Sequence, residues 1–568
     1  MVYTCVRHKR HLRVPPPATT TPPGTLDRPF ATIPRALEAA RKGGEAVIHL
    51  RAGSYPPFEL TDQDRDLTLQ PHDQEEAVIS GGRTITGWTW EDGVWAADAG
   101  DLDTRGLHVD GRRAERAGIE GFPGDATQTV TGYVTSEPLT WENPAGVEFV
   151  YRGVYPWTEA RCPVAAVTAG GTEVVMAQPA FGWALDLYNS AWDGQTQSGP
   201  GLPTRIENDP SFLTEPGTFV LDRSRRRLLY RGERPGTAVA AEAGTVLRAT
   251  GARNVTVRGL TFADTTWSRP GSPEGFLHYH STGYYDGGPV EKVVVVEDQA
   301  WVTVPGESKS IPAAVTLDGC ADVTFERCRF TRMGATALGL SGGSGLAVRA
   351  CVFDDLSASA VSVDGGAGVV IEDNLIERPG LDYPGSPGIA VSGATGCTIA
   401  HNEITDAAHC GIAAGPANGT RILRNLVTGA MRVLADGGGV YVSGPQGASA
   451  ADAALISGNV ITDTRTPYHF ALYTDYGAAW VTVEGNVVAR ADNTAVLQVF
   501  PPLENVTYRG NFWDADPVGS DAVPPGVTYE DNTTLTGEAL EDATAHIRAR
   551  AGRRLDPPGP LEAPAIRP

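Results

Sequence analysis

The chain is poor in cysteine, in basic residues and in long apolar runs, and each shortage excludes something. Seven cysteines in 568 residues, irregularly spaced and with no C-x-x-C pair, do not make a disulfide framework, a zinc site or a thioredoxin-type motif. Acids outnumber bases 68 to 46, a formal charge of -22. That argues against a nucleic-acid or anionic-membrane partner and favours a neutral ligand over a polyanionic one. No run of about 18 apolar residues occurs, so no membrane-spanning helix is expected. The opening "MVYTCVRHKRHLRVPPPATTTPPG" lacks the apolar segment of a secretory signal and reads as an unstructured leader. Localisation stays open, since a mis-assigned start would hide an export signal.

What is abundant is glycine (67) and proline (42), which predicts many turns and few long helices. From about residue 320 a unit recurs: "FERCRF", "VRACVF", "IEDNLI", "IAHNEI", "ILRNLV", "ISGNVI", "VEGNVV" and "YRGNFW". Its marker positions are Cys328, Cys351, Asn374, Asn402, Asn425, Asn459, Asn486 and Asn511, separated by 23, 23, 28, 23, 34, 27 and 25 residues. A period near 23 suits one coil of a parallel β-helix, three short strands and three turns, with longer steps as inserted loops. Leucine-rich-repeat spacing and helical periodicity are missing. Asn suits the left-handed conformation of a sharp turn, and stacked copies can pass amide hydrogen bonds from coil to coil. Cys328 and Cys351 read as small buried residues at the ladder's start, not reactive thiols. Runs such as "AAVTLDG", "ALGLSGG", "AVSVDGG", "GIAVSG", "GVYVSG" and "ALYTDYG" align as one face of the stack, whose outward residues form a bed for a chain-like ligand.

The predicted class is all-β, a right-handed single-stranded parallel β-helix of the pectate-lyase type with an inserted antiparallel β-domain. Residues 1–23 are the leader. Residues 24–100 hold a cap helix, starting near Ile33 and stopped by Gly43-Gly44, and the first coils. Residues 101–245 lose the period and show alternating segments such as "TFVLD" and "RLLYRG", with Trp141, Trp157, Trp183 and Trp192, which fits antiparallel strands. Residues 246–530 carry the main helix, and 531–568 a C-terminal cap and tail.

Two acids stand beside tyrosine-bearing strands. Asp436 precedes Gly437-Gly438-Gly439 and Tyr441; Asp475 follows Tyr473, 39 residues after Asp436. Glycoside hydrolysis needs two carboxyl groups flanking the scissile bond, about 5 Å apart for retention or about 6.5–9.5 Å for inversion. Acids on adjacent coils, about 4.8 Å apart, can supply either. Aligning the tyrosines leaves the acids seven residues out of step, about 23 Å in a straight strand, so the pairing requires the glycines to fold the chain back. On residues alone, two turn aspartates remain an open alternative.

The segments "PFATIPRALEAA", "VISGGRTITGW", "GLHVDGRRAERAG", "PGTFVLDRSRRRLLY", "NVTVRGLTF" and "ADGGGVYVSG", in that order, resemble a bacterial family of β-helix proteins. The characterised relatives this suggests are glycoside hydrolase family 141, with α-L-fucosidase and xylanase activities. The resemblance covers about residues 24 to 530. It implies a β-helix with an attached antiparallel domain and a catalytic pair of aspartates about forty residues apart, the first in an Asp-Gly-Gly stretch. Those positions match Asp436 and Asp475.

Tyr441, Tyr473, Tyr476, Tyr468, His469 and Trp480 cluster in sequence around the acids and are candidate sugar contacts. His409, ending the coil before Asp436, is a candidate cleft donor. Trp267, His278 and His280 lie in a long segment expected to overhang the cleft. "HYH" (His278, His280) lacks an acid partner, so neither metal nor cofactor is expected. The expected partner is a carbohydrate substrate, met by a monomer. The rival readings are a polysaccharide lyase, for which Asp354-Asp355 is the one Asp-Asp pair in the repeats, and a non-catalytic carbohydrate-binding β-helix.

Overall fold

A computed structural model of the chain describes residues 2–6, 24–192, 194–296, 300–465, 469–491, 497, 499–518 and 522–554. Each coil contributes two strands to one long parallel sheet and a third to another. One coil comprises Ala313–Asp318, Ala321–Glu326 and Arg329–Met333; the next comprises Thr336–Ser341, Ala347–Arg349 and Val352–Leu356. Register is kept coil by coil, Leu338 beside Val361 and Val361 beside Ile389. Alternation sends Leu338 and Leu340 inward and leaves Gly339 and Ser341 outward, because successive side chains of a strand face opposite ways. The inward residues fuse into one core running the length of the stack. In it Phe262, Phe330 and Phe353 stack, with ring centroids 5.2 and 4.7 Å apart.

The asparagine ladder forms and passes amide hydrogen bonds from coil to coil, as the sequence suggests, but the asparagine is not the left-handed residue. The left-handed residue is the one before each asparagine: Asp373, His401, Arg424, Gly458, Gly485, Gly510 and Asp531 have φ between 53° and 67°. The asparagines turn inward and bond to one another. Nδ2 of Asn374 donates to Asn402, Asn402 to Asn425, Asn425 to Asn459, Asn459 to Asn486 and Asn486 to Asn511, each at 2.9 Å. Asn532 extends the ladder, accepting from Asn511 at 2.8 Å. From Asn374 to Asn511 each amide is buried and satisfied on both ends, as a buried polar chain must be. Cys328 and Cys351 are buried free thiols whose Sγ atoms donate to carbonyls of the preceding coil.

The first helix, Ile33–Ala40, is N-capped by Thr32 and lays Ile33, Ala36, Leu37 and Ala40 on the open end of the core. Beside it Val2–Val6, expected within an unstructured leader, pairs antiparallel with Ala46–Leu50. The C-terminal helix Glu538–Arg548 does not close the far end. Its Ile547 packs on Val460 and Val487, on the outer side of the second sheet. No helix among the described residues is long and apolar enough to cross a membrane.

Antiparallel sheets occupy residues 82–241, with two apolar cores of their own. They also take in Phe276–His280, Gly283–Tyr285, Val290–Val296, Ala300–Pro305 and Lys309–Ser310, a second excursion inside the stretch assigned from sequence to the main helix. Buried ion pairs dock these sheets on the stack. Arg113 bonds Asp355 at 2.5 Å and Asp382 at 2.9 Å, His108 meets Asp355 at 2.8 Å, and Arg161 donates to the Asp382 carbonyl at 3.0 Å. Such pairs fix geometry more than they add stability, but losing one partner strands a buried charge. Asp354 is bound by Arg329 at 2.9–3.0 Å. Both acids of the Asp354-Asp355 pair are therefore held by arginine.

Candidate active site

Two strands on adjacent coils carry the site. Gly437–Pro445 and His469–Glu484 run parallel, with Gly437 beside His469, Tyr441 beside Tyr473 and Ser443 beside Asp475. Alternation buries Val440, Val442 and Leu472 in the core and turns Tyr441, Ser443, Tyr473 and Asp475 outward. After Asp475 the chain bends at Tyr476 (φ 38°) and Gly477 (φ 66°).

The glycines do not fold the chain back. Gly437, Gly438 and Gly439 are strand residues, the first two paired with His469 and Phe470, and none takes a positive φ; Asp436 does, at 57°. They are glycine for lack of room. A Cβ on Gly437 would lie 2.6 Å from His409 Nε2 and 2.8 Å from Cys410 Sγ, and one on Gly439 would lie 2.4 Å from Ile461 Cγ2. Tyrosine side chains close the offset between the acids instead. Tyr473 Oη donates to Asp436 Oδ1 at 3.2 Å, and Tyr441 Oη to Asp475 Oδ2 at 2.8 Å. The two rings cross edge to face at 5.2 Å. Each coil's tyrosine thus holds the other coil's acid.

Both carboxyls line one cavity of about 340 Å³. Burial and the charge of Asp475 push Asp436 up to about 7 against the Tyr473 hydroxyl. Burial also raises Asp475, opposed by two donors: Tyr441 and the Tyr476 amide, which donates to Oδ1 at 2.7 Å. Burial and the acids' charges raise Tyr441 and Tyr473 well above the ordinary phenol range, so both stay neutral donors. Burial thus raises both carboxyls, Asp436 to about 7, while the hydrogen bonds that favour the ionised form gather on Asp475. That is the arrangement separating an acid from a base in a pair.

Of the sequence candidates, Asp436, Asp475, Tyr441, Tyr473 and Tyr476 come together here. His409 does not line this cavity. It is buried beneath Gly437, where Nε2 donates to the Ala435 carbonyl at 3.1 Å; burial holds it down to about 4. With Pro156, whose carbonyl accepts from Ala435 N at 3.0 Å, it fixes the segment presenting Asp436. His278 does not overhang the cleft. It is an interior residue bonded to the Ser281 carbonyl at 2.9 Å and held down to about 3. Trp267 packs in an aromatic cluster with Phe276, Tyr284 and Tyr383. Trp480 lies past the Gly477 bend, in the next row of strands. Nearness in sequence misplaced Trp480, and the expected overhang misplaced Trp267 and His278. His469 pairs through its backbone, while its side chain and Tyr468 lie outside the described residues.

Of the opposite wall, the sequence anticipated only the segment that carries His280. Trp157, Trp192, Tyr279, Val293, Val295, Val302 and Val304 close the cavity, with Phe500 also lining it. His280 stands 5.3 Å from Tyr441 and is held down to about 4 by burial. The tryptophan-rich composition of the insertion was the signal for this wall. Nothing local marked which tryptophans would face the acids.

Among curated proteins, none matches the sequence. A family described as a right handed beta helix region matches residues 308–452 and 383–500. A solved structure described as a glycoside hydrolase is 22% identical, over 94% of this chain and 97% of its own, with a TM-score of 0.71. A complex of XylC with xylose is 15% identical over 86% of this chain and 73% of its own, with a TM-score of 0.47. The coil register, the family match and the first of these structures together place the chain among right-handed parallel β-helix proteins that carry inserted antiparallel sheets.

Proposed function

We propose that this protein is a glycoside hydrolase in which Asp436 is the general acid and Asp475 the ionised partner. The observation that carries the reading is the crossed pair: two carboxyls from adjacent coils in one cavity, each held by the other coil's tyrosine. Asp436, raised to about 7, keeps a proton to give to the departing glycosidic oxygen. Asp475, which accepts from Tyr441 and the Tyr476 amide, is the carboxylate that meets the positive charge developing at the anomeric carbon, as nucleophile or as base toward water. The tyrosine hydroxyls fix both carboxyls without taking their protons. Trp157, Trp192 and Tyr279 offer apolar faces to sugar C–H patches. The described structural neighbour and the resemblance to family 141 support the class, and with it a fucoside or xylan among the substrates to try. A calcium-dependent lyase is less well supported, because Asp354 and Asp355 are engaged by Arg329 and Arg113.

The roles separate on aryl glycosides of rising leaving-group ability. Asp436→Asn is expected to spare substrates whose aglycone leaves without a proton and to slow the others by about 10²–10⁴. Asp475→Asn is expected to slow all of them. Equal losses on good and poor leaving groups in Asp436→Asn would contradict the assignment.

A further inference from the structure

A second, larger cavity of about 780 Å³ runs along the outer face of the stack and meets the acid-bearing cavity at His280 and Ser443. Its floor consists of two outward rows that the coil register carries through to the catalytic residues. One row runs Asp318, Ser341, Asp364, Ser392, then past Gly415 to Ser443 and Asp475. The other has Gly339, Ser362, Ala390 and Ala413 and ends in Tyr441 and Tyr473. From Asp318 to Asp475 is six steps of about 4.8 Å, about 29 Å in all. Small side chains in the second row keep the floor low until the tyrosines rise at the acids. The facing wall, from the second antiparallel excursion, is also hydroxyl-rich, with Ser281, Thr282, Ser308 and Ser310.

We propose that this trough binds several consecutive sugars of an uncharged, unbranched glycan lying along the stack axis, on one side of the bond cleaved at Asp436 and Asp475. The proposal rests on the hydrolase reading of the adjoining acids. A strand-to-strand step along the axis is similar to the advance per ring of an extended pyranose chain, so successive rings meet successive coils. From Asp318 onward each coil offers a hydroxyl, a carboxylate or a bare backbone position, which suits sugar hydroxyls, and Arg248 lines the trough one coil earlier. Asp318 and Asp364 in the row, with Asp475 at its end, put like charge under a polyuronate. The floor lacks aromatic platforms until Tyr441, so affinity grows by small steps with length and is not concentrated in one ring.

The test is affinity, measured calorimetrically on Asp475→Asn protein, for neutral xylo-, gluco-, manno- and galacto-oligosaccharides from disaccharide to octasaccharide, with oligogalacturonates as the anionic series. One neutral series is expected to gain at least tenfold from disaccharide to hexasaccharide, while the oligogalacturonates gain nothing. Ser341→Trp and Ser392→Trp, which fill the trough at exposed positions, are expected to abolish that gain, with melting temperature as the check on folding. A flat length dependence in every neutral series, an equal gain with oligogalacturonates, or an unchanged gain in both tryptophan variants would overturn the proposal. Length-dependent binding without turnover by the wild type would leave the trough standing and sink the hydrolase reading. Turnover that ignores chain length would do the reverse.

Discussion

Asp436→Asn should stabilise the fold above neutral pH while it damages turnover. The folded protein raises this carboxyl from 3.8 to about 7. A group raised on folding binds protons more tightly in the native state, so its contribution is fully present below the unfolded value and is lost as pH rises through the folded one. At 1.36 kcal/mol per pH unit the loss approaches about 4 kcal/mol above pH 8. The carboxyl is only partly covered, and solvent screening reduces this to about 2–4 kcal/mol. Asparagine keeps an oxygen for Tyr473 and carries no charge, so it escapes the loss. Below about pH 4 the wild-type acid is neutral in both states and the two proteins should melt together. Between pH 4 and pH 8 the variant should pull ahead by about 2–3 °C, taking about 2.1 cal/mol/K of unfolding entropy per residue. Thermal melting followed by circular dichroism across that range is the assay. Parallel pH dependence of the two melting curves would refute both the raised carboxyl and the acid role built on it.

Gly437→Ala drives a methyl into His409 and Cys410 and should cost about 1–3 kcal/mol. Because His409 bonds Ala435, turnover should fall with it, read by melting and by kcat on one sample. Tyr473→Phe removes a donor that lowers Asp436, so the alkaline limb of the kcat/KM profile should move up. Tyr441→Phe removes a donor that lowers Asp475, so the acid limb should move up instead, and together the shifts identify which acid sets which limb. Asn425→Ala breaks the bonds to Asn402 and Asn459 and leaves buried amide groups unpaired. About 2–4 kcal/mol should be lost, seen as a lower denaturation midpoint with activity intact at low temperature.

The repeat was legible because one residue type recurs at one structural position, and the spacing survives loops of different length. Its backbone detail was not: the strained residue before each asparagine can be Asp, His, Arg or Gly, so composition hides it. Asp436, Asp475 and their tyrosines were legible because stacked coils turn sequence period into spatial adjacency. The two acids do share a cavity, but not because the glycines fold the chain back; what decides the glycine positions is contact with His409, Cys410 and Ile461. Outside the period, neighbours in sequence diverge. His278 points into the interior while His280, two residues on, faces Tyr441. Antiparallel segments more than a hundred residues from the acids, Trp157 and Val302 among them, supply the facing wall, and no periodicity announces such contacts.

The central claim is that Asp436 and Asp475 hydrolyse a glycosidic bond. Reducing-sugar release from fucosides, xylans and pectic oligosaccharides by the wild type and by Asp475→Asn, side by side and with matched melting curves, tests it most directly. The account predicts release from at least one substrate by the wild type, and a loss of at least about 10²-fold in the folded variant. Undiminished release by Asp475→Asn would contradict it.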